Sequence, residues 1–211
     1  MSYTGRSAAS ARCSTAWSGS LRYGDPTSCL FARGERSGYA SAMPDVTYDK
    51  HYREDPAACG DPFTEFAAFC REATPGSVLD LGCGQGRDAL MFARAGHRVV
   101  GVDVSSVGID QMLAKARSED LDVQGVVHDI RGYRPDASFD IVVLDRVLHM
   151  LDTDDRRRML GSAMEAVTSG GHLLVAEGPQ GMKPVREALE AAGWMLVRAT
   201  RNRLVARRPA A

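Results

Sequence analysis

Residues 78–88 read Val78-Leu79-Asp80-Leu81-Gly82-Cys83-Gly84-Gln85-Gly86-Arg87-Asp88, and this stretch decides the fold. An apolar run leads into three glycines at alternate positions, and a helical pattern follows them. Glycine lets the backbone turn sharply, and its missing Cβ lets a ligand approach the main chain. The stretch therefore predicts a strand, a turn that binds a nucleotide-type cofactor, and a helix. The alternative is a plain strand-to-helix turn that uses glycine for geometry alone.

The spacing of the glycines indicates which cofactor the turn binds. The dinucleotide fingerprint is G-x-G-x-x-G, whereas here the third glycine comes one residue early and Arg87 stands where that pattern has glycine. NAD and FAD are therefore disfavoured. The residues resemble motif I of the class I S-adenosylmethionine-dependent methyltransferases, and the run Leu-Gly-Cys-Gly-Gln-Gly-Arg-Asp is similar to the tellurite-resistance and thiopurine methyltransferase subgroup. The resemblance implies S-adenosyl-L-methionine as the cofactor.

Strands and helices alternate after the glycine turn. Nearly continuous apolar runs predict strands buried on both faces, at 77–81, 98–102, 123–127, 139–144 and 172–176. A helical stripe runs from Ile109 to Ala116, with Ser105 or Ser106 as its N-cap. An earlier short helix, opened by Pro62, carries an apolar face of Phe63, Phe66, Ala67 and Cys70.

Two later helices have visible end signals. One carries a stripe from Met159 to Val167 and is stopped by Gly170 and Gly171. The other is expected near 184–192, with Pro184 at its first position and Gly193 just past its end.

The alternation ends with the strand-like runs 194–198 and 203–207, which are joined by only a tight turn. Two strands so joined form an antiparallel hairpin. The predicted fold is α/β: a Rossmann-like, seven-stranded, mostly parallel sheet with helices on both faces and a C-terminal antiparallel hairpin. The seven-stranded sheet of class I methyltransferases has this organisation, which is a second sign of the resemblance.

The chain divides by composition near Met43. Residues 1–42 are rich in Ser, Ala, Gly and Arg and show no helical or strand period, so we expect them to be disordered. They share the Arg-rich, acid-poor composition of a transit peptide but lack its amphipathic stripe. Our favoured hypothesis is that Met43 is the physiological start. Residues 43–211 form the methyltransferase domain, in which 43–75 are an N-terminal lid and helix region.

Composition limits the class of protein. The net charge of −1 gives no footprint for nucleic acid, and no apolar run approaches the roughly 20 residues that cross a bilayer. The five cysteines are scattered without a C-x-x-C pair, so no zinc site, metal site or disulfide framework is indicated. Reduced thiols in the cytoplasm are the simplest interpretation. Cys83 is either a small residue that fits the turn or, less simply, a nucleophile.

Asp103 ends the second predicted strand, about 20 residues after the glycine turn. A carboxylate at this spacing meets the two hydroxyls of a nucleotide ribose, because ligands bind beyond the carboxyl ends of such strands. The alternative for Asp103 is to cap the following helix.

The resemblance implies the remaining cofactor contacts. Asp129 would accept a hydrogen bond from the adenine amine, with Ile130 and Val104 packed on the two faces of the ring; a loop-capping Asp129 is the alternative. The Gly82 carbonyl, with Asp80, would meet the methionine ammonium. Arg87 would face the methionine carboxylate or cap a neighbouring loop. The predicted cofactor contacts in full are Asp80, Gly82, Cys83, Gly84, Gly86, Arg87, Asp103, Val104, Asp129, Ile130 and Asp145.

The acceptor side is expected after the fourth strand. His149 is a candidate general base, since imidazole accepts a proton near neutral pH, although a packed histidine is equally consistent with its apolar surroundings. Asp145 and Arg146 are predicted pocket or cofactor contacts. No Asn-Pro-Pro-Tyr or Asp-Pro-Pro-Tyr follows this strand, which disfavours nucleic-acid N-methylation.

The segment near 45–62 is the candidate cover for the site. Tyr48, His51 and Tyr52 offer flat rings with polar tips suited to a lid over a small ligand, or to boundary packing beside the sheet. The predicted function is methyl transfer to a small-molecule acceptor, by a monomer or homodimer without nucleic-acid or membrane partners. The alternatives are a pseudoenzyme that senses the cofactor, and a protein or RNA methyltransferase.

Overall fold

A computed structural model of the protein describes residues 48–210. The predictions for residues 1–42 and for Met43 as the start therefore lie outside the described residues. So do the first residues and the final residue of the domain predicted over 43–211. The helices are α1 (Tyr48–Glu54), α2 (Thr64–Glu72), α3 (Arg87–Arg94), α4 (Ser106–Ser118), α5 (Thr153–Ala166) and α6 (Pro179–Ala191). The strands are β1 (Ser77–Leu81), β2 (Arg98–Asp103), β3 (Val123–Val127), β4 (Phe139–Asp145), β5 (Val167–Ala176), β6 (Met195–Ala199) and β7 (Arg203–Arg207).

The seven strands form one sheet in the order β3-β2-β1-β4-β5-β7-β6. The first five pair in parallel, and β7 lies antiparallel between β5 and β6. The predicted fold class is therefore confirmed, including the hairpin. Because β1 and β4 are neighbours while β2 lies on the other side of β1, the strand order reverses at β1, which is where such sheets bind ligands.

Both faces of the sheet are covered by helices. Apolar side chains of α2, α3 and α4 pack on one face, where Phe66, Phe92 and Met112 are fully buried. Those of α5 and α6 pack on the other, around Leu160 and Leu189. Burial on both faces explains why the parallel strands are nearly continuous in apolar residues.

Two of the predicted helix boundaries are wrong. Gly170 and Gly171 do not stop a helix, because α5 ends at Ala166 and β5 begins at Val167 and contains both glycines. The pairing of β5 with β4 shifts register here, Gly170 has a φ of +76°, and a Cβ on Gly171 would lie 2.7 Å from the Asp140 carbonyl oxygen. The glycines thus serve an irregular strand.

The start of α6 is also earlier than predicted. Pro179 occupies the first turn, and Pro184 lies inside the helix. A proline there removes one intrahelical hydrogen bond, which α6 tolerates while its apolar side packs on the sheet. The predicted end is close to the observed one, since α6 ends at Ala191 and Gly193 follows with a φ of +75°.

The short helix α2 begins at Thr64 with Phe63 as its N-cap, and Phe63 packs partly buried against the same core cluster as Phe66 and Cys70. Ser105 is the N-cap of α4 and accepts a 3.0 Å hydrogen bond from the Gly108 amide. Among residues 48–210, no helix has the length and apolar character needed to cross a membrane.

Candidate active site

The glycine turn joins β1 to α3 and is tied to β2. The Gly82 and Cys83 amides donate to the Val102 carbonyl at 2.7 and 3.1 Å. Gly82, Gly84 and Gly86 have φ angles of +78°, +54° and +81°, a region that L-residues with a Cβ rarely adopt. Backbone geometry therefore favours glycine at all three alternate positions.

Protein atoms pack against the turn more closely than the sequence indicates. A Cβ on Gly84 would lie 2.6 Å from the Tyr52 hydroxyl and 3.1 Å from Cys59 Sγ, and a Cβ on Gly82 would lie 2.7 Å from Val147. The main chain at Gly84 is thus covered by α1 and the loop after it. The missing Cβ on Gly84 leaves room for this cover.

Cys83 is buried within the turn. Burial raises the pKa of its thiol well above the ordinary value, with Asp80 and Asp103 adding to the effect. A thiol held in its neutral form is a poor nucleophile. The placement matches a small residue that fits the turn.

Asp103 stands directly beside the glycine turn. Its Oδ2 accepts a 2.8 Å hydrogen bond from the Gly84 amide, and its Oδ1 accepts one of 2.8 Å from the Ser105 amide. Burial raises the pKa of Asp103 despite these two bonds. A carboxylate has about four acceptor sites, so Asp103 keeps acceptor capacity beyond these two bonds, and its contact with a ribose stays a prediction. Val104, next in sequence, leaves 58% of its surface exposed.

Asp129 follows β3 and is engaged by Arg131. The Arg131 Nε donates to both carboxylate oxygens, at 3.0 and 2.9 Å, and the Arg131 amide donates to Oδ1 at 2.9 Å. Burial favours a higher pKa for Asp129, but the Arg131 hydrogen bonds outweigh it and hold the pKa below its usual value. Ile130 packs in the core beneath this loop. The adenine contacts of Asp129 and Ile130 stay predictions.

Asp80 is buried behind the turn. Its Oδ2 accepts a 3.1 Å hydrogen bond from the Ala89 amide in the first turn of α3. Burial, and then the charge of Asp88, raises the pKa of Asp80 well above its ordinary value, although Arg87 acts in the opposite direction. Its role toward a methionine ammonium stays a prediction.

Arg87 and Asp145 form a buried ion pair at the ends of the turn and of β4. Arg87 also contacts Asp88 at 2.6 Å and donates to the Cys59 carbonyl at 3.2 Å. Its guanidinium thus caps the neighbouring loop, the second of the two roles considered from the sequence. Asp145 in turn holds Arg87 in place.

Arg146 has a strained backbone at the carboxyl end of β4. Its φ is +54°, in the left-handed region, and its side chain is half exposed. The guanidinium lies 5.4 Å above the Phe63 ring and 3.4 Å from both Asp145 Oδ1 and the Cys59 carbonyl. The predicted substrate-side role of Arg146 stays a prediction.

Helix α1 lies over the turn and carries the three predicted lid residues. Tyr52 is buried against Gly84. Tyr48 donates a 3.1 Å hydrogen bond to the sulfur of Met150. His51 is exposed, with its ring 5.8 Å from that of Tyr52.

Sequence reasoning missed the polar residues that attach α1 and the loop after it. Gln85 donates to the Asp55 carbonyl at 2.8 Å and to Gln111 at 2.9 Å. Gln111 donates to the Tyr52 carbonyl at 2.9 Å. Asp49 accepts from the Ser105 hydroxyl at 2.6 Å. Of these residues, only Gln85 could have been identified from the sequence, because it is a long polar side chain inside a turn that is expected to be buried.

A further residue that sequence reasoning missed is Glu177, which directly follows β5. Its carboxylate is buried and faces His149, the predicted base, whose Nδ1 lies 3.3 Å from Oε2. Its position at a strand's carboxyl end was a usable signal, because Asp103 and Asp145 end strands in the same way.

Comparison with known proteins agrees with this geometry. Residues 78–171 match a family model described as a methyltransferase domain. The cypemycin N-terminal methyltransferase of a Streptomyces species is 41% identical over 83 residues, 39% of this chain and 33% of that protein. The probable S-adenosyl-L-methionine-dependent methyltransferase TehB of Haemophilus influenzae is 28% identical over 102 residues, 48% of this chain and 36% of that protein. These alignments span about a third of each relative.

Solved structures share the fold. TehB from Haemophilus influenzae superposes with a TM-score of 0.63 at 17% identity, over 76% of this chain and 67% of that one. The N-methyltransferase NodS from Bradyrhizobium japonicum, solved with S-adenosyl-L-homocysteine, gives 0.62 at 19% identity, over 77% of this chain and 98% of that one.

Residues 78–171 thus match the methyltransferase-domain family, and the described sheet has the fold of solved methyltransferases. TehB is among the proteins that are similar to this chain in both sequence and fold.

Proposed function

We propose that the protein transfers the methyl group of S-adenosylmethionine to a small-molecule acceptor. The observation that carries the proposal is the contact between Gly84 and Asp103, in which a 2.8 Å hydrogen bond brings a buried carboxylate to the glycine turn. This arrangement fits a nucleoside, because the Asp103 carboxylate keeps acceptor sites for ribose hydroxyls and lies next to the glycine backbone of the turn.

The chain's own residues divide the work of binding the donor. Asp103 accepts the ribose hydroxyls, and exposed Val104 packs against one face of the adenine. Asp129 accepts a hydrogen bond from the adenine amine while its carboxylate also binds Arg131. Asp80, behind the turn, and the Gly82 carbonyl together bind the positively charged methionine ammonium. Arg87 and Asp145 brace the turn through their ion pair.

The donor supplies a methyl group already activated on sulfur. The protein's remaining task is to hold an acceptor in line, near 3 to 3.5 Å, and to exclude water. Helix α1 serves as the lid, with Tyr52 over the glycine turn and Tyr48 against Met150. Arg146 and His149 face the acceptor from the carboxyl end of β4 and the segment after it.

A small acceptor suits the covered site and the net charge of −1, which offers no footprint for nucleic acid. We place the protein in the cytoplasm, because the three cysteines among the described residues, Cys59, Cys70 and Cys83, are free thiols. A monomer or a homodimer is compatible with this function.

Two measurements test the proposal. Calorimetry with S-adenosylhomocysteine measures binding at the turn, and a radiolabelled methyl donor measures transfer to a panel of small phenols, amines, thiols, selenite and tellurite. We expect binding and transfer to at least one member. Binding without transfer to any member favours the cofactor-sensing alternative, and absence of binding refutes the proposal.

A further inference from the structure

Glu177 is a buried carboxylate that the binding of the donor does not use. Its side chain is 1% exposed, at the carboxyl end of β5. Its Oε1 accepts hydrogen bonds from the backbone amides of Leu148, at 2.8 Å, and His149, at 3.3 Å. A buried carboxylate is costly unless its oxygens are engaged, so these contacts fix the position of the short 3-10 helix Leu148–Met150.

The same carboxylate faces the ring of His149. Nδ1 of His149 lies 3.4 Å from Oε1 and 3.3 Å from Oε2. Among the described residues, Oε2 has no hydrogen-bond donor with good geometry, so it is free to attract a proton on Nδ1. A carboxylate can only accept, and a neutral imidazole carries one proton, so the pair favours the tautomer with hydrogen on Nδ1.

The other ring nitrogen is left with a lone pair. The His149 side chain is 56% exposed although its carboxylate partner is buried. The edge of the ring that carries Nδ1 therefore contacts Glu177, and Nε2 lies on the opposite edge. Its neighbour Met150 accepts a hydrogen bond from Tyr48 of the lid, which places this segment beside the cover of the site.

We propose that Glu177 is a positioning residue that holds His149 as a general base with Nε2 toward the methyl acceptor, and that the acceptor therefore reacts through an N–H or O–H group. This inference rests on the proposed function and narrows its substrate class. A thiolate or a reduced chalcogen is already a strong nucleophile and needs no such base, whereas a hydroxyl or an amine carries a proton that must leave.

The step balances without a further reactant. The acceptor's lone pair attacks the sulfonium methyl carbon, and a new oxygen–carbon or nitrogen–carbon bond forms. The sulfur–methyl bond breaks and its electron pair stays on sulfur, which becomes the neutral thioether of S-adenosylhomocysteine. The acceptor's proton passes to Nε2 of His149 and then to solvent. Glu177 stabilises the imidazolium that forms.

The sharpest test is Glu177→Gln. A glutamine oxygen can still accept from the Leu148 amide, but its NH₂ then faces Nδ1 and favours the opposite tautomer. Nitrogen-15 NMR of labelled histidine, assigned with His149→Gln, reports which nitrogen carries the proton. We expect hydrogen on Nδ1 in the wild-type protein and on Nε2 in the variant. Glu190→Gln, an exposed carboxylate on α6, is the matched control and should leave the tautomer unchanged.

The activity arm uses the same variants with the acceptor panel named above. We expect the best acceptor to be a phenol or an amine, and Glu177→Gln and His149→Gln each to lower the turnover number by roughly 100-fold or more. Affinity for S-adenosylhomocysteine should stay within about twofold, which shows that the fold and the donor site persist.

Three results would overturn the inference. They are hydrogen on Nε2 in the wild-type protein, transfer to a phenol or an amine that neither variant slows, and transfer confined to thiols or chalcogens. The last two leave the proposed function standing. Conversely, absence of S-adenosylhomocysteine binding defeats the proposed function, while the wild-type tautomer, which needs no ligand, still tests the orientation of His149.

Discussion

The Ser105 hydroxyl donates a 2.6 Å hydrogen bond to Asp49 and accepts one of 3.0 Å from the Gly108 amide. Its own amide donates to Asp103, the predicted ribose ligand, at 2.8 Å. One serine thus caps α4, holds the lid helix and orients the carboxylate beside the glycine turn. This residue thus links α1 mechanically to the carboxylate beside the glycine turn.

The link predicts that Asp49→Ala loosens α1. The Ser105 hydrogen bond leads the effects that lower the pKa of Asp49. The stabilising contact is therefore complete above the unfolded pKa of about 3.9 and is lost as the pH falls through the lowered folded value. At neutral pH we expect faster hydrogen exchange at the amides of residues 48–54 and weaker S-adenosylhomocysteine binding. Lys50→Ala, one residue away and exposed, is the control and should change neither; equal exchange rates in the two variants would contradict the link.

Asp103→Asn tests the ribose contact. Hydrogen bonds to a charged acceptor contribute about 1.5 to 3 kcal/mol, so affinity for S-adenosylhomocysteine should fall by roughly 10- to 150-fold. Calorimetry at neutral pH measures the change. Asp110→Asn removes a charge from an exposed position on α4 and should bind as the wild type does. Unchanged affinity in Asp103→Asn would remove the main support for the donor site.

Asp80→Asn should stabilise the protein without ligand at neutral pH. Because burial and Asp88 raise the pKa of Asp80, its favourable contribution is complete below the unfolded pKa of about 3.9 and is lost as the pH rises through the folded value. Asparagine can still accept from the Ala89 amide. The gain should grow as the pH rises through the folded pKa of Asp80. Denaturant unfolding at several pH values checks this, and a gain that shrinks with rising pH would refute it.

Gly84→Ala tests how closely the lid covers the turn. The new Cβ meets the Tyr52 hydroxyl at 2.6 Å in a backbone with a φ of +54°. Gly60→Ala is the matched control, because its φ is +64° and no atom lies within 4 Å of its Cβ. Backbone strain alone costs about 1 to 3 kcal/mol in either variant, so the excess loss in Gly84→Ala measures the clash. Unfolding free energies should show that Tyr52→Phe recovers part of this excess and none of the loss in Gly60→Ala.

The local parts of the fold were predictable because their causes lie within a few residues. The apolar run 78–81 followed by alternate glycines defines a strand and a turn with φ above zero, and Ser105 lies directly before its helix. The mistaken boundaries arose where strand pairing and packing set the end of a helix or strand. The strand β5 extends back to Val167 because β4 offers it a partner, although Gly170 and Gly171 indicate a break.

The site was predictable only where the sheet itself sets the spacing. The position of Asp103 beside the glycine turn was predictable because parallel strands end at a common edge. Glu177 and His149 are 28 residues apart, and no period in the sequence connects them. Asp49 was overlooked for a similar reason, because its partner Ser105 is 56 residues away. Such contacts depend on how helices and loops settle over the sheet edge.

The position of β7 between β5 and β6 has a consequence for how the sheet is completed during synthesis. The ribosome makes β6 before β7, yet β7 is the strand that pairs with β5. Residues 203–207 can pair with β5 only after they have been synthesised, and β6 joins the sheet only through β7. The half of the sheet that presents Glu177 is consequently completed against the order of synthesis, after the glycine turn and its neighbouring strands are already available to pair.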